Sequence, residues 1–362
     1  MDFNQSPKRG QFLYCKKSKK MIFISLLVLI LFLFFLDLFL TLIFSFSFFN
    51  INNKFFNIIF LNSHIFLIYK IFFKLILPHV LSIILVGLAL GVAGAVLQIF
   101  LENPLADPGL LGISTGGSLA GFFGAWIFKY YSLEFGVFSY AVSALLGVFS
   151  LMLVLIKFSI GGVGERIRKT GLAGIILLGL GLNTCFSALM SLFMVFLNQE
   201  NLNQLMIWSL GDFQAPDFGM VILATLLIFF GLIILFLNTQ NLDKLNFGAR
   251  AAFSMGVDLI KLKQKIIIAL SLILGGSVIL AGPIGFVGLL CPHFARFFLG
   301  ARSKILIMAS GFFGVIWLLL ADLISTSFLQ SRVPVGAVSA LIGGPIFILF
   351  LLKLGRLNQH EC

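Results

Sequence analysis

Ten apolar runs follow one another along this chain, at about 21–49, 75–100, 113–128, 135–158, 172–197, 218–238, 266–281, 284–299, 305–328 and 335–353. Most approach the roughly 20 residues needed to cross the hydrocarbon core of a bilayer. Of the 362 residues, 60% are hydrophobic and 10% charged, against about 25% charged in an ordinary globular domain. A soluble fold would lack the polar surface to cover such a core, and disorder is excluded for the same reason. The expected architecture is an all-α polytopic membrane protein of about ten transmembrane helices.

The net charge of +12 would suggest nucleic acid in a soluble chain. Here it reads as basic residues retained in cytoplasmic loops, so no nucleic-acid partner is called for. With ten crossings and a cytoplasmic N-terminus, twenty Lys and Arg fall inside. Five fall outside: Lys54, Lys70, Lys74, Lys129 and Arg332. This asymmetry places both termini in the cytoplasm, and removing a central span would invert part of it.

Residues 1–20 form a basic tail, with Lys8, Arg9, Lys16, Lys17, Lys19 and Lys20. The run 21–49 is longer than the h-region of a cleaved signal peptide and ends in Phe48-Phe49-Asn50, so it reads as an uncleaved first span. Asp37 has no basic partner within that run and is expected to be protonated or to face another helix. Cys15, Cys185, Cys291 and Cys362 are far apart and read as unpaired. Gly87, Gly91 and Gly94 put a small-residue face on the second span, and Gly282, Gly285 and Gly288 recur at one helical turn. Both patterns suit close helix packing.

There is no H-E-x-x-H, and Arg168-Lys169-Thr170 lacks the glycine of a Walker A loop. The chain is not expected to hydrolyse ATP, and neither a metal site nor a cofactor is called for. Chemistry is concentrated instead in three breaks between apolar runs. The first, 98–112, holds Gln98, Asn103, Pro104 and Leu105. The residue before each proline is pushed out of helical geometry, and unpaired backbone at membrane depth is tolerated only inside protein or beside a watery cavity. On the residues alone it reads equally as a gate or as an ordinary loop. The second break runs from Gly282-Pro283 through Phe286 and Gly288 to Pro292-His293 and Arg296, and interrupted helices point to a transport pathway. The third, about 239–262, contains a short helix from Ala249 to Met255, with Gly248 before it and Gly256 as its C′ residue. This small Ala-rich helix suits docking into a partner's groove, and composition alone fits an interfacial loop equally well.

These breaks resemble the permease subunits of ABC importers for iron(III) chelates, heme and vitamin B12. The resemblance runs from Leu77 to about Arg356 and is carried by ordered pieces. They are Gly94 to Gln98, Glu102 to Gly112, Trp208 to Gly211, Leu245 to Gly256, Ala281 to Arg296, Asp322, and Val333 to Pro345. It implies the ABC importer (type II) permease fold over 75–356, pairing with a second permease subunit as homo- or heterodimer. It also implies two cytoplasmic ATPase subunits docking at Leu245, Gly248, Ala251, Ala252 and Gly256. A periplasmic or lipid-anchored substrate-binding protein would meet the outer face, and the location would be a bacterial inner membrane. By match to the family, Asn103, Pro104 and Leu105 close the pathway, with a second gate segment around Gly161–Gly164.

Two departures stand out. The family commonly has Arg-Leu-Pro-Arg where this chain has Ile76-Leu77-Pro78-His79, and after Ala321-Asp322 an arginine is replaced within Ser325-Thr326. Lys70, Lys74 and Arg332 are therefore expected to supply the positive charge for binding-protein docking, which governs association rate and salt dependence. The expected cargo is an iron(III) chelate such as a siderophore, with heme or vitamin B12 as the alternative. An ion-coupled secondary transporter would need intramembrane carboxylates, and only Asp37 and Asp322 qualify.

Overall fold

The computed structural model describes residues 21–39, 71–131, 137–160, 172–213, 217–327 and 333–358. These form α1 (Met21–Phe39), α2 (Phe72–Phe100), α3 (Ile113–Tyr130), α4 (Val137–Ile160), α5 (Leu172–Val195), α6 (Gln199–Ser209), α7 (Phe218–Leu237), α8 (Thr239–Leu245), α9 (Ala249–Ser254), α10 (Leu259–Ala281), α11 (Val287–Leu299), α12 (Ser303–Ser327) and α13 (Val335–Asn358). Among the described residues six helices, α1, α2, α5, α7, α10 and α12, are long and apolar enough to cross a membrane, and shorter apolar stretches lie within α3 (Ile113–Phe128), α4 (Ser139–Val154), α11 (Val287–Leu299) and α13 (Val335–Phe350).

Local chemistry sets the ends. α10 starts seven residues before its apolar run because Asp258 caps it, accepting the Lys261 N–H at 3.1 Å. Lysines 261, 263 and 265 therefore belong to the helix, and the third break closes at residue 258. α10 stops at Gly282, at φ +65°, with Pro283 next. Since 282–286 is not helical, Gly282, Gly285 and Gly288 do not share one helix face. α6 escaped the apolar pattern because Gln199, Glu200, Asn201, Asn203 and Gln204 make it too polar to span. It is tied in by Trp208, whose ring lies 4.6 Å from Phe122 and 5.3 Å from Tyr140.

α2, α10 and α12 form the buried centre, while α1, α5 and α7 expose apolar side chains over most of their length. The most extensive interface joins α2 to α12, and α3–α4 and α7–α10 form further pairs. Glycine makes the first possible. A Cβ on Gly87 would lie 2.6 Å from the Gly314 carbonyl oxygen, and one on Gly91 or Gly94 would collide with the backbone of Ser310 or Gly288. The small-residue face of α2 is thus split between α12 and α11. Helix α1 lies against this unit through Phe23 and Phe312, 6.0 Å between rings, and Asp37 is buried.

Candidate functional site

The first two sequence breaks meet. Gln98, 2% exposed in the last turn of α2, donates its side-chain amide to the carbonyls of Gly288 and Leu289 at 3.4 and 3.3 Å. The reason lies four residues on: Pro292 has no N–H to offer the Gly288 carbonyl, and a buried carbonyl left alone would cost about 1–3 kcal/mol. Gln98 fills that vacancy across 190 residues of sequence. Pro292 is buried inside α11, and half-buried His293 binds the Leu289 carbonyl through Nδ1 at 2.6 Å and packs on Phe350, 4.8 Å away. Arg296, one turn on, is also half-buried.

Below Gln98 the chain turns sharply. The Glu102 N–H bonds to the Ile99 carbonyl (3.2 Å) and the Asn103 N–H to the Gln98 carbonyl (3.0 Å), the paired pattern of a Schellman cap. Its C′ position usually holds glycine; here it is Glu102 at φ +51°, a left-handed conformation that costs an L-residue about 1–2 kcal/mol. Buried Asn103 then accepts the Leu105 N–H at 2.9 Å, pinning Asn103-Pro104-Leu105 in a tight turn with Pro104 exposed.

Asp107 carries the strand onward, its Oδ1 accepting the N–H groups of Gly109 (2.8 Å) and Leu110 (3.1 Å). With Thr115, Asn183, Pro283, Gly285 and Phe286 it lines a cavity of about 200 Å³ in which a few polar groups stand among apolar ones. Thr115 donates to Asn183 at 2.8 Å across this space. Phe286, the residue before α11, is left-handed at φ +68° and packs on Gly343 of α13, where a Cβ would come within 2.7 Å. A larger cleft of about 710 Å³ between α3, α4 and α5 is lined almost wholly by apolar side chains such as Phe123, Trp126 and Phe193, with Ser150 among them.

The third break folds as the short helices α8 and α9. Leu245 and Ala252 are buried, Ala251 is half-buried, Gly248 begins α9 at φ +91°, and Gly256 closes it at φ +80°. The Gly256 and Val257 N–H groups bond to Phe253 and Ala252, so Gly256 is the C′ residue. Side-chain hydrogen bonds tie this segment down, among them Asn246 donating to the Ser303 hydroxyl at 3.1 Å. Glu102 Oε1 accepts the Ala249 N–H at 3.0 Å, and Asp243 accepts the Ser303 N–H at 2.6 Å. Lys244 donates to the Met255 carbonyl at 3.2 Å. Around them Phe247, Phe253 and Met255 stand exposed, at 72%, 70% and 47%. Glu102 and these apolar knobs were missed in the sequence, where no local signal distinguishes them.

At the far end of α2, buried His79 bonds through Nδ1 to the Phe213 carbonyl at 3.1 Å and through Nε2 to Asp322 at 3.2 Å. A carbonyl only accepts, so Nδ1 carries hydrogen and a second proton is shared between Nε2 and the Asp322 carboxyl. Position 79 therefore faces the core. Lys74 is exposed; Lys70, Arg332 and the segment Gly161–Gly164 lie outside the described residues.

Among known proteins, the model of the FecCD transport family matches residues 24–353. The vitamin B12 import system permease protein BtuC of Photorhabdus laumondii is 37% identical over 280 residues, 76% of this chain and 80% of that protein. The hemin transport system permease protein HmuU of Yersinia pestis is 31% identical over 288 residues, 79% and 84% of the two chains. In fold, the chain is similar to a metal-chelate-type ABC transporter solved in an inward-facing conformation, with TM-score 0.74, 24% identity, and coverage of 92% of this chain and 99% of the other.

Proposed function

This chain belongs to the FecCD transport family, and from that premise we propose that it is the membrane-spanning subunit of an ATP-driven importer that carries an iron(III) chelate by alternating access. The observation that carries the reading is the join between the two breaks. A gate turn at Asn103-Pro104-Leu105 is held by Gln98 to a proline-interrupted half-helix, beside a cavity lined in part by Asp107, Thr115 and Asn183. Such irregular backbone is stable at membrane depth when protein or a watery path surrounds it.

On this reading the α8–α9 end is cytoplasmic, as are both termini. Phe247, Phe253 and Met255 then dock the ATPase subunit, with Leu245, Gly248, Ala251, Ala252 and Gly256 setting the backbone that presents them. ATP binding moves this segment, and the packed arrangement of α2 against α11 switches to a second one. A second permease subunit completes the pathway. Lys74 lies in the first turn of α2, about 39 Å from its other end at 1.5 Å per residue, and with Lys70 and Arg332 it receives the binding protein. The second reading of the cargo, hemin or vitamin B12, is favoured by the names of the similar permeases.

Proteoliposomes containing the full chain with its ATPase and binding protein test both. Uptake of a ferric siderophore that requires ATP and the ATPase subunit is expected. Uptake of hemin or cobalamin alone would transfer the assignment to the second cargo. Uptake driven by a proton gradient with the ATPase omitted would overturn the importer reading.

A further inference from the structure

The C′ position of a Schellman cap is one that glycine fills without strain, yet at the end of α2 it is occupied by Glu102 at φ +51°. What glutamate adds is an acceptor. Its Oε1 reaches the Ala249 N–H at 3.0 Å, across 147 residues. That N–H is the first of α9, whose preceding residue, Gly248, has no side chain with which to cap it. From the C′ residue the chain passes directly into Asn103-Pro104-Leu105. One side chain therefore joins the segment exposed for a partner to the turn beside Gln98.

Resting on the importer reading, we infer that Glu102 is the positioning residue that transmits displacement of α9 to the gate turn. The bond has ordinary length, 3.0 Å, and the backbone on both sides is constrained. The paired cap bonds fix 102 and 103 to α2, and Lys244 clasps the opposite end of α9 through the Met255 carbonyl. A shift of α9 is thus delivered to the backbone of residue 102 rather than absorbed in a flexible loop. The other ties, from Asp243 and Asn246 to Ser303, run to α12 and bypass the gate.

Two variants separate the side chain from the turn. Glu102→Gly keeps the left-handed backbone and removes the acceptor; Glu102→Gln keeps chain length and an acceptor oxygen. In proteoliposomes with the ATPase and binding protein, molecules of probe carried per ATP hydrolysed are measured with a ferric hydroxamate chelate, hemin and cobalamin. The ratio is expected to fall about fivefold in Glu102→Gly and to stay within about twofold in Glu102→Gln. Poor assembly alone lowers transport and hydrolysis together and leaves the ratio unmoved. Amide exchange on the purified full chain gives an independent reading: Ala249 should exchange about tenfold faster in Glu102→Gly and at the wild-type rate in Glu102→Gln. A wild-type ratio in Glu102→Gly, or an equal loss in Glu102→Gln, overturns the inference while leaving the importer intact. A wild-type chain that moves none of the three probes with ATP overturns the importer reading and this inference with it.

Discussion

Replacing Gly87 by alanine tests whether backbone contact between α2 and α12 holds the centre of the bundle. The new Cβ would lie 2.6 Å from the Gly314 oxygen and 2.8 Å from both the Gly314 carbonyl carbon and the Val315 Cα. All three are backbone atoms, so no rotamer change relieves the clash. Reaching a 3.4 Å contact needs the helices to part by about 0.8 Å. A gap of that size forfeits about a quarter to a half of the dispersion energy between facing atoms, and lipid supplies no hydrophobic force to compensate. Overpacking typically costs about 1–3 kcal/mol, and a backbone collision belongs at the upper end, about 2–3 kcal/mol. Two controls share the chemistry. At Gly311, in the same interface, a Cβ meets nothing nearer than the Val92 Cγ2 at 3.1 Å, with the Leu88 Cγ and carbonyl oxygen in ordinary contact at 3.6 and 3.7 Å; at Gly181 of α5 it meets nothing within 4 Å. Gly311→Ala should cost well under half as much, and Gly181→Ala should be neutral or stabilising by up to about 1 kcal/mol from helix propensity. Unfolding of the full-length chain in mixed micelles, followed by tryptophan fluorescence, ranks the three. Equal stability of Gly87→Ala and Gly311→Ala would refute the backbone-contact argument.

Gln98→Leu strands the carbonyl freed by Pro292 and should destabilise the chain by about 1–3 kcal/mol; Gln98→Leu unfolding like wild type in the same assay would show that the carbonyl finds another donor. His79→Ala breaks a buried pair and should cost about 3 kcal/mol, whereas Asp322→Asn, which can still bond Nε2, should cost about 1 kcal/mol; the reverse order would exclude the pair as drawn. Asp258 has its carboxyl held below the ordinary 3.8, first by the Lys261 N–H and then by the Lys261 side chain. Its cap on α10 is therefore complete above pH 3.8 and lost as pH falls through the lower native value. Protection of the Lys261 amide, taken relative to its intrinsic exchange rate at each pH, should fall on acidification in wild type and already be low at neutral pH in Asp258→Ala. Phe253→Asp should weaken ATPase binding at least about tenfold with the permease still folded, measurable by co-purification at graded concentration; undiminished binding would remove Phe253 from the docking surface.

Much of the scaffold was legible because its signals are local. Apolar runs mark most helices, Pro283 and Gly282 mark the end of α10, and Gly248 and Gly256 bracket α9 as their preference for positive φ requires. Where local signals compete, the reading slips. The lysines of α10's first turns hide its start until Asp258 is seen as a cap, and the polar residues of α6 hide a helix altogether. The backbone break around Asn103 was visible in its residues, but its partner on α11 was not.

Residue order alone therefore settled that the chain is membrane-embedded, where its backbone must break, and which family its motifs belong to, since hydrophobicity and backbone stiffness act over a few residues. Packing alone decided which of those breaks touch. Gln98 reaches Gly288, Glu102 reaches Ala249, and His79 turns inward to Asp322 because helices far apart in sequence are brought within a glycine's width of each other. At the two buried pairs, those of Gln98 and of His79, polar groups cut off from water must take whatever partner that proximity supplies.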